Sequence, residues 1–490
     1  MKRMRIGNFL IVAMAIALST FISQGRCNEL RIETLAGCRI ALEDEDNRLN
    51  PYDFGRNAAF LLKDYEEPWL RFTFTLTEDS GELKRPYDPL LVNNLTFGAE
   101  GIKRFGERHA AYGYFGYSRI REREIYHALE YDQYNDPFYL TDETTGDFIY
   151  NGPTMSVDYG LQLGRGFSLG LGIDYDISTG LKQEYTRPEI VHNYLRANLG
   201  LIYETGEHWI IGLIARPVRH QNRTKFEKPE EGYDNIVFRY SGDGIFDVRT
   251  YGSYSLRELD VGVEVALQNF FSAGRFALGT ELDYRYKENE IIYGSTTQYD
   301  EGYWESTAYD FKLLGRYSFR NIPLVLGFSG RALREEGWAK RPKFEEVLLY
   351  ENPVNMQSAG LGLSYRFRPM RLVVAADYVM NRFDVEVSDY GANSYRATDV
   401  IQNIGRFGIE YSAFNVYALR AGVEYIDYLV DRWLKLPENI DSFRLTGGLL
   451  YNYRLWNIEL KLAYGDAFKD DSDASRRQLS SIVWLTRSIL

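Results

Sequence analysis

Cysteine is nearly absent: Cys27 and Cys38 are the only two in 490 residues. That excludes a disulfide framework and a cysteine-based zinc site. Histidine numbers only five, His109, His127, His192, His208 and His220, with no paired-ligand spacing. Neither a metal nor a cofactor is expected. Basic residues are outnumbered 57 to 69, for a formal charge of -12. An acidic balance argues against nucleic acid as a partner. Proline is scarce at 14. After the N-terminus no apolar run approaches the ~18 residues of a membrane helix, which excludes a helical membrane protein.

What is present is tyrosine and glycine, 39 and 43 residues, in a chain that is 45% hydrophobic and 26% charged. Tyr and Gly enrichment without Pro suits long, regular, tightly packed strands rather than disorder.

The N-terminus reads as an export signal. Lys2, Arg3 and Arg5 precede an apolar stretch from Phe9 to Ile22, and Ser23-Gln24-Gly25 offers small residues for cleavage after Gly25. Gln-Gly-Arg before Cys27 lacks the character of a lipoprotein box. In an oxidising compartment Cys27 and Cys38 could close one small loop or stay unpaired, and both readings stand.

From about Trp69 the chain alternates with period two. Phe167, Leu169, Leu171, Ile173 and Tyr175 face one way; Ser168, Gly170, Gly172, Asp174 and Asp176 face the other. Val261, Val263 and Val265 alternate with Asp260, Gly262 and Glu264 in the same manner. Strict alternation over such lengths is a strand signal. Connections alternate too. Short turns fall near 106–108, 164–166, 206–207, 272–274, 320–321, 368–369, 413–414 and 454–455. Long polar connections span roughly 79–91, 122–152, 177–191, 219–253, 287–304, 335–355, 384–399, 429–440 and 466–477. Short turns on one side and long loops on the other describe an outer-membrane barrel. The pattern predicts an all-β fold: a single transmembrane, up-and-down, antiparallel β-barrel of about 18 strands with a short N-terminal plug or periplasmic segment. The expected divisions are a signal peptide at 1–25, the plug or periplasmic segment at 26–68 and the barrel at 69–490. The cell outer membrane is the expected location, where lipid and lipopolysaccharide, the barrel-assembly machinery and a small-molecule solute are the expected partners. Aromatics at strand ends, among them Tyr112, Tyr114, Phe115, Tyr117 and Trp209, are expected at the two interfaces.

The polar face carries both signs. Glu258, Asp260, Glu264, Glu281 and Asp283 are expected to form an acidic lumen wall. Arg316, Arg331, Arg366, Arg406, Arg420 and Arg444, with Arg368, are expected to form a basic one. Opposed walls would set a transverse field across an aqueous path. Alternatively they neutralise locally as Arg420–Glu424, Glu410–Arg406 and Lys312–Asp310 pairs. Residues 26–68 hold an acidic run (Glu43 to Asp46) and then Asn50, Pro51, Asn57 and Phe60 in a stretch mixing turn formers with apolar residues; it is expected to fold into the lumen. Asn57-Ala58-Ala59-Phe60-Leu61 is similar to the Asn-Pro-Ala-x-Leu plug element of FadL-type outer-membrane transporters. Pro is missing here, and that family has fourteen strands. The resemblance implies uptake of small hydrophobic molecules.

Gly166-Phe167-Ser168-Leu169-Gly170 matches a nucleophile-elbow pattern but sits within a strand, where the required strand-to-helix turn is missing. No catalytic residue is expected, and no enzyme. The leading expectation is a channel or facilitator. The alternative is a scaffold acting through its long loops, with Tyr131, Tyr134, Tyr139, Tyr150, Tyr233 and Tyr240 as contact residues.

Overall fold

The computed structural model describes residues 38, 40, 52, 55–64, 68–129, 134, 137–184, 187–226, 235–251, 254–293, 299–340, 347–413, 416–437, 439–469 and 472–488. The export segment 1–25, Cys27, the acidic run 43–46, Asn50, Pro51, Tyr131 and Tyr233 lie outside them.

Twenty strands form one antiparallel sheet. They are β1 (Trp69–Gly81), β2 (Leu91–Arg104), β3 (His109–Ala128), β4 (Phe138–Gly164), β5 (Phe167–Lys182), β6 (Glu189–Thr205) and β7 (Trp209–Phe226). Next come β8 (Asn235–Ser241), β9 (Gly244–Tyr251), β10 (Tyr254–Ala273), β11 (Phe276–Tyr293), β12 (Tyr299–Ser318), β13 (Leu324–Lys340) and β14 (Leu348–Phe367). The last are β15 (Leu372–Asp389), β16 (Ser394–Ala413), β17 (Tyr417–Ile426), β18 (Ile440–Tyr453), β19 (Trp456–Lys469) and β20 (Ser475–Ser488). β7 pairs directly with β10, so the β8–β9 hairpin stands off the ring and instead pairs with the start of β4. The remaining eighteen strands close where β1 pairs with β20, from Trp69↔Ser488 to Gly81↔Arg476. Closure is what lipid requires, because it offers no partner to an open sheet edge.

Alternation sets the two faces. On β10, Val261, Val263, Val265 and Leu267 are exposed on the outside, while Glu258, Asp260 and Gln268 are buried inside. The outer face is therefore an apolar belt, the signature of an outer-membrane barrel. Eight short turns lie on the side of both barrel ends, between β2 and β3, β4 and β5, β6 and β7, and so on to β18 and β19. Gly106, Gly166, Gly206 and Gly274 adopt left-handed φ of 72°, 81°, 75° and 61° in four of them, where a side chain would be strained. Aromatic pairs ring this periplasmic rim: Phe167–Tyr203 at 4.4 Å, Trp209–Phe271 at 4.6 Å and Tyr417–Tyr451 at 5.1 Å between centroids.

Two features differ from the sequence reading. The opposite connections are shorter than expected because strands run well past the ~9–11 residues needed to span; β4 alone has 27. Tyr112 and Tyr114 also belong to the lumen, not the rim. The Tyr112 hydroxyl donates to Glu100 at 2.8 Å, and Tyr114 lies over the lumen faces of Gly98 and Gly116. Phe115 and Tyr117, the next residues of the other parity, face outward.

Candidate functional site: a lumen filled at both ends

The periplasmic half of the lumen holds residues of the N-terminal segment. Ala58–Phe60 makes a single 3-10 turn and Leu61–Asp64 a further helical turn. Asn57 caps the first: its Oδ1 accepts from Ala59 N at 3.1 Å. Its Nδ2 donates to Gln268 Oε1 at 3.2 Å and Leu213 O at 3.4 Å. One buried amide thus starts a helical turn and ties it to the wall. Phe60 packs edge-on against Phe270 at 5.1 Å. Tyr52 donates to Asp158 at 2.5 Å, and Arg216 donates to the Gly55 carbonyl. At a second stretch of wall, Ile40 N donates to Asp377 at 3.1 Å and Arg316 donates to Ile40 O at 3.2 Å. Cys38 is a buried free thiol beside Ala375, and burial, with the Asp377 charge adding, pushes it up to about 12.

The wall facing this segment is built of glycine. Gly160, Gly170 and Gly200 sit side by side on β4, β5 and β6. A Cβ on Gly170 would lie 2.2 Å from Ala59 N, one on Gly200 1.9 Å from Asn57 Oδ1, and one on Gly160 2.8 Å from Ala58 O. Sequence reasoning missed this seat. Its signal was three glycines at lumen-facing positions of consecutive strands, visible once register is known.

The extracellular mouth is filled differently. Leu129, Tyr134, Phe138, Leu140, Val237, Trp304, Tyr350 and Trp433 belong to one buried apolar cluster. Trp433 lies 5.9 Å from both Trp304 and Tyr350, and Tyr139 stacks on Tyr240 at 4.7 Å and 7°. Tyr134 and Tyr139 are therefore buried inside the mouth, and Tyr150 is buried between strands, rather than displayed as contact surfaces. Polar links tie this lid to the wall. At the β8–β9 turn, Asp243 pairs with Lys435, with Arg396 at 2.9 Å, and accepts from Ser394 at 3.1 Å. Burial alone would raise the Asp243 carboxyl; the Lys435 hydrogen bond and charge, with Arg396, hold it below its usual range. Arg432 pairs with Glu335 at 2.8 Å.

Between the two fillings is a cavity of about 400 Å³. Its lining includes His192, His220, Asp260, Glu264, Arg285, Lys287, Trp304 and Arg432. His192 and His220 lie within β6 and β7. His220 Nε2 is 2.9 Å from His192 Nδ1, and His220 Nδ1 is 2.6 Å from Asp260. His192 Nδ1 also contacts Asn222 Oδ1 at 2.8 Å.

Glu258, Asp260, Glu264, Glu281 and Asp283 all occupy inward positions of β10 and β11. Each has a polar or basic neighbour: Asn222 for Glu258 (3.1 Å), Lys287 for Asp260 (2.9 Å) and Arg216 for Glu264 (3.3 Å). Lys312 serves Glu281 (2.8 Å) and Arg285 serves Asp283 (3.7 Å). Of the arginines, Arg316 holds Ile40, and Arg331 grips Asp310 with two nitrogens at 2.9 and 2.8 Å. Arg406 pairs with Glu424 at 2.5 Å, and Arg420 with Glu410 at 2.7 Å and with Glu459. Arg366 and Arg444 stand at inward positions of β14 and β18, whereas Arg368 falls in the β14–β15 turn. The expected Arg420–Glu424 and Glu410–Arg406 pairs do not form. Residues four apart on one strand are about 13 Å apart, whereas cross-strand partners such as Glu410↔Arg420 and Arg406↔Glu424 are about 5 Å apart. Lys312 chooses Glu281 opposite it over Asp310, 3.9 Å away on its own strand.

No curated protein sequence matches the chain. Among solved structures, the CymD monoaromatic hydrocarbon channel is 13% identical with a TM-score of 0.35, over 93% of this chain and 96% of that one. The Pseudomonas putida toluene transporter TodX is 14% identical with a TM-score of 0.35, over 92% and 96%. The siderophore receptor PiuA from Acinetobacter baumannii is 9% identical with a TM-score of 0.46, over 87% and 82%. No residue role is transferred at these values. Residues 58–339, more than half of the chain, match the model of a family of unknown function, DUF6850, and the chain belongs to that family.

Proposed function

We propose that the protein is a non-catalytic outer-membrane channel or facilitator for passive passage of a small solute through a charged, partly plugged lumen. The observation that carries this reading is the mid-lumen cavity lined by charged side chains, set between the mouth cluster and the N-terminal segment. An 18-strand barrel is wide enough to leave a path unless it is filled. Here the periplasmic filling is a separate chain segment, and the mouth filling joins loop residues such as Tyr134 and Trp433 to wall side chains such as Trp304 and Tyr350. Residues 26–68 act in this reading as a plug within the barrel of residues 69–490. Lipid and lipopolysaccharide surround the outer belt, and the barrel-assembly machinery inserts it. TodX is a toluene transporter and CymD a monoaromatic hydrocarbon channel; the charged lining of this cavity favours a polar solute instead. The scaffold alternative is weakened, because Tyr134, Tyr139 and Tyr150, three of the six loop tyrosines it relies on, are buried. Liposome swelling tests the proposal. Proteoliposomes of the mature chain should admit small solutes faster than empty liposomes; equal rates, with a heat-modifiable barrel on a gel, contradict it.

A further inference from the structure

Three ion pairs of the cavity wall are stacked by depth, not laid side by side. Arg285, Lys287 and Arg432 are 34%, 31% and 35% exposed, whereas Asp260 and Asp283 are 4% and 6%. The carboxylates lie against the sheet and the cations lie over them. Of the other lining carboxylates, Glu335 is less exposed than its partner Arg432, 15% against 35%, whereas Glu264, 25% exposed, stands over Arg216 at 8%. Arg285 and Lys287 rise from β11, and Arg432 descends from the lid, so three cationic heads from two separate elements line one space. His192 and His220 add imidazole nitrogens on the neighbouring wall. A polar cavity with low-dielectric walls concentrates ions of the sign opposite to its lining. We infer that this cavity binds small oxyanions, solutes bearing a carboxylate or a phosphate, which deepens the transport reading and rests on it for its physiological sense. Arginine and lysine donate charge-assisted hydrogen bonds to such groups. A bound oxyanion also competes with Glu335 for Arg432, which links occupancy to the lid.

Isothermal titration calorimetry on the detergent-solubilised full chain tests this with four probes: succinate, inorganic phosphate, neutral arabinose and cationic ethanolamine. Succinate or phosphate should bind, and arabinose and ethanolamine should not. Succinate alone assigns the site to carboxylates, phosphate alone to phosphoryl groups, and both to oxyanions in general. The double variant Arg285→Met/Lys287→Met should weaken binding roughly tenfold or more, Lys287→Arg alone should retain it, and Arg382→Met, at an exposed pair, should leave it unchanged. Binding of neither anion, binding of ethanolamine as strong as that of succinate, or unchanged affinity in a heat-modifiable double variant overturns the inference. Titration needs no transport, so the two readings fail separately. Anion binding by a chain that admits no solute overturns the channel and upholds the site; solute passage without anion binding does the reverse.

Discussion

The two ends of the lumen are closed by different physics. At the periplasmic end a short segment meets three adjacent wall glycines at close range, anchored by Asn57 and flanked by the Phe60–Phe270 contact. At the extracellular end large aromatic side chains from the connections and from the strand ends pack on one another and are fastened by charge around Asp243. The first closure depends on shape and tolerates almost no added volume. The second is built of adaptable side chains and a titratable latch, so it is the end expected to respond to conditions. The difference suggests a fixed inner seat and an outer lid that opens.

The largest effect is expected from filling the seat. Gly170→Leu with Gly200→Leu places side chains where Ala59 and Asn57 now sit. The N-terminal segment should leave the lumen, and limited proteolysis near residues 57–62 should become fast while the barrel stays heat-modifiable. Unchanged protection would mean the glycines are not the seat. A smaller effect follows from Asp243→Ala, which leaves Lys435 and Arg396 facing each other without their shared carboxylate. Removing one partner from such a cluster costs about 1–3 kcal/mol, and tryptophan fluorescence should shift red as Trp433 and Trp304 meet water. Smaller again is the effect of acid on the intact chain. The Asp243 carboxyl is held below its ordinary value of 3.8, so its contribution is fully present above that pH and is lost as pH falls further. The same red shift should therefore start only below about pH 4, and a shift beginning at pH 6 would contradict the Asp243 latch. The smallest effect is that of Arg382→Ala at the exposed Arg382–Asp399 pair, where neither thermal stability nor fluorescence should change measurably.

The barrel was legible because its determinants are local. Period-two alternation, the start at Trp69, the eight short turns and the total of eighteen strands follow from residues near each other in the chain. The fillings were less legible, since they depend on which wall meets which segment. That Asn57 reaches Gln268, or Trp433 reaches Trp304, follows only from closure and register. The 219–253 connection conceals the β8–β9 hairpin, whose alternation is too brief to stand out. Two of the three ion pairs, Arg420–Glu424 and Glu410–Arg406, were misassigned for one reason: pairing was sought along a strand, while the sheet brings charges together across strands. Asn57 and Phe60 could be singled out because a capped, apolar stretch is unusual ahead of a barrel; Asn50 and Pro51 lie outside the described residues.

The central claim is that two independent closures act in series around the mid-lumen cavity. Planar-bilayer conductance tests it most directly, comparing the intact mature chain, a deletion of residues 26–66, Asp243→Ala, and the two changes combined. The account predicts little current from the intact chain, partial or brief openings from each single change, and a large steady conductance from the combination. Full conductance from the intact chain, or silence from a correctly folded combined variant, would contradict it.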